Sequence, residues 1–309
     1  MRAAFALQET PSLSRSTVVR DELLRVDTDR LRREWPKSTV LRVDPQGRVG
    51  VRDGTLVRDP AATLGAEAPR EAMLLGEDAC APVWAVAVAE LDLGPGEQAT
   101  DLRSGGALLD NTGAGLLTTA TALLRWHAHA RHCAVCGGRT KAVTSGWVRR
   151  CNACGHEEYP RTDPAVICLV HDGAEQVLLG RQPSWPLGRF SVLAGFVEAG
   201  ESLESCVERE VAEEVGVHVR DIHYLGSQPW PFPRSIMIGF EATADPSAGL
   251  LPRDGEIAEA YWFSRQQVRE ALALGEWTGR PDDPADPVPL LLPGAVSIAR
   301  RMLQSWAAS

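Results

Sequence analysis

The spacing of hydrophobic and polar positions is most regular in the second half of the chain. Short aliphatic runs between turn residues predict strands at 166–170, 177–179, 190–193, 223–226, 236–241 and 258–263. Apolar residues at helical spacing predict helices over 202–215, 265–274 and 296–306. Strands interspersed with helices in this way are typical of a layered domain in which helices pack on a sheet.

The first half of the chain has a weaker pattern. The run 84–89 predicts a strand, and apolar residues between 115 and 130 predict a helix. We therefore predict an N-terminal α+β domain over residues 1–124, whose function the pattern does not reveal. The stretch 279–287, which is rich in Pro, Gly and Asp, predicts an acidic loop.

The composition limits the kinds of protein that this chain encodes. Its 309 residues are 44% hydrophobic and 24% charged, which is ordinary for globular domains. The formal net charge of −9 argues against a protein that coats nucleic acid nonspecifically. We find neither a signal-peptide pattern nor an apolar stretch of about 20 residues, so we expect a cytoplasmic protein that does not bind membranes.

Four cysteines are arranged as two Cys-x-x-Cys pairs separated by fourteen residues. They are Cys133, Cys136, Cys151 and Cys154. Two such pairs predict a closed, tetrahedral, structural zinc site with one Zn²⁺ per chain. A redox dithiol is the alternative, although it needs only one pair, and His132 and His156 are alternative ligands.

The segment around these cysteines is locally basic, with seven Lys and Arg against two Glu between residues 125 and 161. It is either an ordinary solvated face or a surface for an anionic chain such as RNA. We assign a zinc ribbon with a linker helix to 125–160 and a third domain to 161–309.

The predicted helix over 202–215 carries an apolar stripe and an acidic edge. At about 100° per residue, Glu210, Glu213 and Glu214 share one arc beside the stripe, whereas Glu204 and Glu208 lie toward the opposite edge. Carboxylates crowded on one arc repel each other, and a hard divalent cation such as Mg²⁺ relieves that repulsion. A solvated acidic face is the alternative, but the bordering apolar stripe argues against it.

The segment from Gly195 to Val217 resembles the Nudix signature, G-x5-E-x7-R-E-U-x-E-E-x-G-U, at every fixed position. Membership of this family implies an α/β/α sandwich around a mixed sheet, within an overall α+β protein. It also implies a metal-dependent hydrolase of nucleoside diphosphate linkages. Glu210 and Glu214 would bind Mg²⁺ or Mn²⁺, and Glu213 would be a ligand through water or the general base. Arg209 would pair with Glu201, and the carbonyl of Ala194 would add a ligand.

The segment from Ser227 to Ser235 reads Ser-Gln-Pro-Trp-Pro-Phe-Pro-Arg-Ser. On its own it would be a polyproline ligand or a rigid turn. This segment occurs together with the Nudix signature at Gly195–Val217 (the Nudix box), the zinc ribbon and Tyr159-Pro160-Arg161. The combination is similar to the NADH pyrophosphatase (NudC-type) subfamily. That resemblance covers residues 126–309 well and the first domain loosely. It implies hydrolysis of NAD(H) to nicotinamide mononucleotide and AMP, removal of NAD caps from RNA 5′ ends, and a homodimer.

The same resemblance implies further site residues. Glu256 would be the metal ligand outside the box, with Glu259 as its rival. The substrate contacts would be Tyr159, Phe196, Gln228, Pro229, Trp230, Pro231, Phe232, Pro233, Arg234, Ser235, Ala299 and Arg103. Tyr159 and Phe196 would stack on a base, and Tyr159 could come from the partner subunit. Another dinucleotide, such as ADP-ribose or a diadenosine polyphosphate, is the alternative substrate. A non-enzymatic binder is disfavoured because every glutamate of the signature is present.

Overall fold

The computed structural model describes residues 4–252, 255–275, 277 and 290–309. They form two compact units. The N-terminal unit consists of Leu13–Thr162 and Trp230–Arg234, and the C-terminal unit consists of the described parts of Met1–Ser12, Asp163–Pro229 and Ser235–Ser309. The predicted acidic loop at 279–287 lies outside the described residues. No described helix has the length and apolar character needed to cross a membrane.

The N-terminal unit contains short helices, one long helix and three small sheets. Its elements are α1 (Glu22–Val26), α2 (Thr28–Glu34), β1 (Thr39–Val43), β2 (Val49–Arg52), β3 (Thr55–Leu56), β4 (Asp59–Pro60), β5 (Met73–Asp78), β6 (Ala81–Ala87), β7 (Gln98–Thr100), α3 (Leu102–Gly105), α4 (Asn111–His129), β8 (Thr140–Val143), β9 (Val148–Cys151) and β10 (Glu157–Glu158). The strand orders are β4-β1-β6-β5, β3-β2-β7 and β10-β9-β8.

Helix α4 is the longest element of this unit. The side chain of Asp110 caps its first turn by accepting a hydrogen bond from the Gly113 amide at 2.6 Å. Most of its residues are buried, including Leu116, Leu117 and Leu123. The helix therefore has a fixed start and a long buried face, so the residues near its C-terminus are held on a rigid element.

The C-terminal unit is a mixed sheet with helices. Its elements are β11 (Asp163–His171), β12 (Gln176–Arg181), β13 (Leu193–Phe196), α5 (Leu203–Val215), β14 (Arg220–Trp230), β15 (Ser235–Thr243), β16 (Glu259–Ser264), α6 (Arg265–Leu274) and α7 (Ile298–Ala308). The strand order is β14-β15-β11-β12-β16, and β13 also pairs with β11. Strand β11 is parallel to β15 and antiparallel to β12 and β13.

Alternation along the central strand β11 explains why helices cover both faces of this sheet. Val166, Cys168 and Val170 pack in one core cluster with the buried residues of α5. Ile167 and Leu169 pack in the other cluster with residues of α6 and α7. Because successive side chains of a strand point to opposite faces, one continuous apolar run serves both cores. The expected α/β/α sandwich with a mixed sheet is therefore confirmed.

The beginning of the chain belongs to the C-terminal unit. Phe5 is buried in the same core cluster as Trp306 of α7. The Gln8 amide donates to the Ser305 hydroxyl at 3.0 Å, and the Ser12 hydroxyl donates to the Ala295 carbonyl at 2.7 Å. We refer to residues 4–12 as the N-terminal strap. The sequence pattern did not predict this packing.

Most predicted elements of the C-terminal unit agree with the structure, and one is displaced. Helix α6 has the predicted bounds, whereas the predicted strand 190–193 is replaced by β13 at Leu193–Phe196. Around Phe190 the backbone forms isolated bridges, through Arg189 and Ser191, instead of a continuous strand, and the Phe190 ring packs against Tyr261 and Phe263. The domain boundaries at 124 and 160 stay predictions.

Candidate active site

The local sequence around α5 determines its length and orientation. The Ser202 side chain caps the helix by accepting a hydrogen bond from the Ser205 amide, and Gly216 ends it at a φ of 75°, which favours glycine. Val207, Val211 and Val215 are buried on the sheet, as the helical periodicity predicted. Glu204 and Glu208 are exposed, as expected for residues away from the acidic cluster.

Arg209 connects the loop before α5 to the helix itself. Its guanidinium forms two hydrogen bonds to the Glu201 carboxylate, both at 2.8 Å, and donates to the Phe196 carbonyl at 2.9 Å. Hydrogen bonds from Arg209 lower the pKa of Glu201 to about 2. The expected Arg209–Glu201 ion pair is therefore present, and it stabilises the loop that precedes the helix.

Arg209 also distinguishes Glu213 from the other two glutamates of the predicted arc. It lies 2.9 Å from a carboxylate oxygen of Glu213, whose side chain is 53% exposed, and 3.0 Å from one of Glu210, whose side chain is 12% exposed. Burial raises the pKa of Glu210, although hydrogen bonding and charge from Arg209 oppose this. The arc thus contains one solvated carboxylate and two that are largely withdrawn from solvent.

Glycine is required at position 195 by the close approach of Glu210. A Cβ atom on Gly195 would lie 1.8 Å from Cδ of Glu210 and 2.0 Å from its Oε1. No two non-bonded atoms approach this closely, so the carboxylate occupies the space that a side chain on residue 195 would need. The glycine of the signature therefore allows strand β13 and the Glu210 carboxylate to touch.

Glu214 is the most deeply buried carboxylate of the cluster. It is 5% exposed, and its Oε2 has no hydrogen-bond partner among the described residues. Burial raises its pKa to about 8, helped by the nearby charges of Glu210 and Glu256, although a hydrogen bond from the backbone of Ala194 acts in the opposite direction. A buried carboxylate oxygen without a partner is costly unless a cation or proton neutralises it.

The two candidates for the ligand outside the box have different surroundings. Glu256 is near enough to raise the pKa of both Glu210 and Glu214 by its charge. Glu259 instead accepts a hydrogen bond at 2.8 Å from Arg181, which is itself 8% exposed. The geometry favours Glu256 over Glu259, because the second carboxylate is already neutralised by an arginine.

This cluster fits a hard divalent cation. Carboxylate oxygens and a backbone carbonyl are the ligands that Mg²⁺ prefers. The pKa values of Glu210 and Glu214 are raised, first by burial and then by neighbouring carboxylates, so a bound cation would offset the cost of keeping these groups charged. Among the described residues, only the four thiols of the ribbon lie within 4.8 Å of one another as a group. The glutamates are more loosely arranged, with Arg209 holding two of them.

The four predicted zinc ligands converge in the ribbon. The Sγ–Sγ distances are 3.8 Å for Cys133–Cys154, 3.5 Å for Cys136–Cys151 and 3.3 Å for Cys136–Cys154. A tetrahedron of thiolates around Zn²⁺ has edges of about 3.8 Å. Hydrogen bonds from the amides of Cys154 and Ala153 lower the pKa of Cys151 to about 6, which favours the thiolate that a metal binds.

The aromatic loop Trp230–Arg234 belongs to the N-terminal unit, although its flanking strands belong to the C-terminal unit. The Trp230 and Phe232 rings pack edge to face, 4.9 Å apart. The guanidinium carbon of Arg103 lies 4.0 Å from the centroid of the Phe232 ring. The structure therefore brings Arg103, one of the predicted substrate contacts, together with the loop.

The other predicted substrate contacts differ in accessibility. Tyr159 and Phe196 are exposed, at 60% and 57%, as base-stacking rings would need to be. Gln228 and Ala299 are buried, at 0% and 1%, and the Gln228 side chain donates to the Val296 carbonyl at 3.0 Å. Pro231 and Ser235 are also buried, Pro229 is partly exposed, and Pro233 and Arg234 are exposed.

The N-terminal unit also contains a groove of about 870 Å³ that the sequence did not reveal. It is lined by the C-terminal end of α4, the ribbon and the end of the aromatic loop, including Arg125, Tyr159, Arg161 and Arg234. Several of these residues come from the locally basic segment. The only sequence signal for the groove was that clustering of charge.

Three family models cover most of the chain. The NADH pyrophosphatase-like rudimentary NUDIX domain matches residues 29–126, the NADH pyrophosphatase zinc ribbon domain matches 128–159, and the NUDIX domain matches 161–281. The chain is 49% identical to the NAD-capped RNA hydrolase NudC of Mycobacterium bovis (strain BCG / Pasteur 1173P2) over 98% of its own length and 97% of that protein. This chain belongs to the Nudix hydrolases of the NADH pyrophosphatase and NAD-capped RNA hydrolase type.

Two further relatives show how far the similarity extends within this Nudix group. The NudC of Mycobacterium tuberculosis (strain ATCC 25618 / H37Rv) is also 49% identical over 98% of this chain and 97% of its own. The NudC of Pseudomonas aeruginosa (strain LESB58) is 50% identical over 139 residues, which are 45% of this chain and 49% of that protein. The resemblance inferred from the Nudix box and the aromatic loop is therefore confirmed.

Proposed function

We propose that this Nudix hydrolase cleaves the diphosphate bond of NAD(H) to give nicotinamide mononucleotide and AMP, and that it removes NAD caps from RNA 5′ ends. The proposal is carried by one observation. The similarity to NAD-capped RNA hydrolases extends through the rudimentary domain, the ribbon and the catalytic box, not only through the box. A box alone would support any diphosphate substrate.

The catalytic residues of this proposal are centred on Glu210, Glu213 and Glu214 of α5. Glu210 and Glu214 would hold Mg²⁺ or Mn²⁺, with Glu256 and the carbonyl of Ala194 as further ligands. When bound, such a cation lowers the pKa of a water and neutralises charge on the diphosphate. Glu213 is solvated and paired with Arg209, so it is accessible for a proton transfer. Arg209 and Glu201 maintain the loop that follows Phe196.

The remaining features follow from the same proposal. The four ribbon thiols would hold one structural Zn²⁺, because a closed set of four thiolates leaves no position for substrate. Tyr159, Phe196 and the aromatic loop would bind the bases of the dinucleotide. The homodimeric state and the cytoplasmic location expected from the sequence stay predictions.

Product analysis tests this function directly. The purified protein would be incubated with NADH, NAD, ADP-ribose and NAD-capped RNA, with Mg²⁺ or Mn²⁺, and the products identified by mass spectrometry. We expect nicotinamide mononucleotide from NAD, its reduced form from NADH, and 5′-monophosphate RNA from the capped RNA. Turnover of ADP-ribose alone would contradict the proposal and favour a different dinucleotide substrate.

A further inference from the structure

The aromatic loop fixes part of its own backbone, because the Phe232 amide donates to the Trp230 carbonyl at 2.7 Å, but its prolines limit further bonds of this kind. Pro231 and Pro233 lie within it and Pro229 precedes it, and proline has no N–H group. Its carbonyl oxygens are therefore the main polar backbone groups available for anchoring. Pro231 is buried, and a buried carbonyl needs a donor.

Arg125 supplies that donor from the last turns of α4. Its Nη1 atom donates to the Pro231 carbonyl at 3.3 Å. Its guanidinium carbon also lies 5.4 Å from the centroid of the Phe232 ring, within range of a cation–π contact. The same side chain therefore contacts the backbone and the aromatic ring of successive loop residues.

A second guanidinium group lies close to Phe232. The guanidinium carbon of Arg103 is 4.0 Å from the centroid of the Phe232 ring. The two arginines are close enough to repel: burial and, after it, the charge of Arg125 lower the pKa of Arg103. Each guanidinium is attracted to the Phe232 ring, and these attractions oppose the repulsion between the two cations. The loop and Arg125 therefore depend on each other for their positions.

We propose that Arg125 is a positioning residue for the aromatic loop, holding Pro231 and Phe232 in the arrangement in which the loop binds the dinucleotide. The inference rests on the proposed function, because it assigns the loop to substrate binding. Arg125 has no assigned role in the box, the ribbon or the loop itself. Its contribution is made through the loop and not by touching the reacting phosphates.

Kinetics with NADH tests this role. Arg125→Ala is expected to raise KM by about 10-fold and to change kcat by less than about 3-fold, because the loop contributes binding that is shared by the ground state and the transition state. Arg125→Lys keeps a cationic donor but loses the planar face, so its KM should lie between those of Arg125→Ala and the wild type. Arg33→Ala, which removes an exposed arginine of α2 in the same unit, should leave both constants unchanged.

A double-mutant cycle separates positioning from a general loss of stability. If Arg125 acts through the loop, adding Arg125→Ala to Phe232→Leu should raise KM by less than about 3-fold beyond the single Phe232→Leu variant. Thermal unfolding of each variant would show that the fold is retained. Full additivity of the two changes, or a fall in kcat with an unchanged KM, would overturn the proposal.

The outcome for the wild type distinguishes this inference from the proposed function. Binding of NADH to the wild type would be measured by calorimetry without divalent metal. If the wild type neither binds nor hydrolyses NADH, both the proposed function and the role of Arg125 are contradicted. If the wild type hydrolyses NADH and Arg125→Ala has the same KM, only the proposed role of Arg125 is contradicted.

Discussion

Individual residues of the acidic cluster have unequal roles, and burial is what separates them. Glu214 is 5% exposed and has an oxygen without a partner among the described residues, whereas Glu213 is solvated and paired with an arginine. The sequence predicted the arc that these residues share but not this difference. Helical periodicity predicts the direction in which a side chain points from the helix. The solvent exposure of that side chain depends on the surrounding tertiary structure, here strand β13 and the loop before α5.

Replacing Glu214 by Gln should reduce kcat for NADH by about 100-fold or more, because it removes a charge that stabilises the transition state through the metal. The same change should leave the metal-free protein as stable as the wild type or more so, since it removes a buried carboxylate with a raised pKa. Steady-state kinetics and thermal unfolding without metal measure the two effects. Near-normal turnover would show that Glu214 is not a ligand.

Replacing Gly195 by Ala should impair activity through Glu210. The added methyl group would overlap the carboxylate, which must rotate away, while the backbone can remain in place because the obstacle is the end of a flexible side chain. We expect kcat to fall by about 10-fold or more, with the mutant still folded. Gly249→Ala is the matched control, because no atom lies within 4 Å of its added Cβ. If Gly195→Ala and Gly249→Ala were equally active, the close approach of the Glu210 carboxylate to residue 195 would be contradicted.

At the scale of elements, helix α4 contacts two other parts of the N-terminal unit. Arg125 contacts the aromatic loop, and His127 contacts the ribbon. The Nε2 atom of His127 lies 2.7 Å from the Gly146 carbonyl, and its Nδ1 atom lies 2.8 Å from the guanidinium of Arg149. The neutral ring with its proton on Nε2 satisfies both partners, because Nε2 donates and Nδ1 accepts.

His127 should therefore titrate below an ordinary histidine. Burial, and then the charge of Arg149, lower its pKa, although the bond to Gly146 opposes this. Because the folded pKa lies below the unfolded one, the stability gained from the neutral ring is complete above about pH 6.5 and is lost as the pH falls toward the folded pKa. NMR titration of the zinc-loaded protein would measure the midpoint, with His127→Gln identifying the signal. A midpoint above 6.5 would contradict the assignment.

The elements that the sequence predicted well are those whose burial follows from local periodicity. Helices α5 and α6 each have an apolar stripe and a capping serine, and their predicted bounds agree with the structure to within a residue. Strand β13 was displaced because the burial of Phe190 comes from aromatic contacts between distant segments. Hydrophobic patterns assign a buried residue to a helix or a strand. The assignment is wrong where tertiary contacts, and not a regular element, bury the residue.

At the scale of the whole molecule, neither unit is a contiguous piece of the chain. Residues 4–12 pack in the C-terminal unit, and the aromatic loop belongs to the N-terminal one. Domain boundaries drawn from sequence assume that a domain is a single stretch of chain. The assignment of residues 4–12 to the C-terminal unit, and of the aromatic loop to the N-terminal unit, could therefore not be predicted from composition or motifs.

The N-terminal strap should be important for stability. Phe5 is 7% exposed in the core of the C-terminal unit, so Phe5→Ala should lower the free energy of unfolding by about 3 kcal/mol. Leu108→Ala, at a side chain that is 78% exposed, should change it by less than about 0.5 kcal/mol. Urea denaturation would compare the two variants. Equal midpoints would show that the strap does not contribute to the core.

The position of this strap has a consequence for synthesis in the cell. Residues 4–12 leave the ribosome well before Ser305 and Trp306, which they pack against, because Gln8 and Ser305 are 297 residues apart in the chain. At about 5–20 residues per second, the apolar side chain of Phe5 is without its native partners for tens of seconds. During that interval it is available to chaperones or to aggregation, and the C-terminal unit can complete its folding only after Trp306 has left the ribosome.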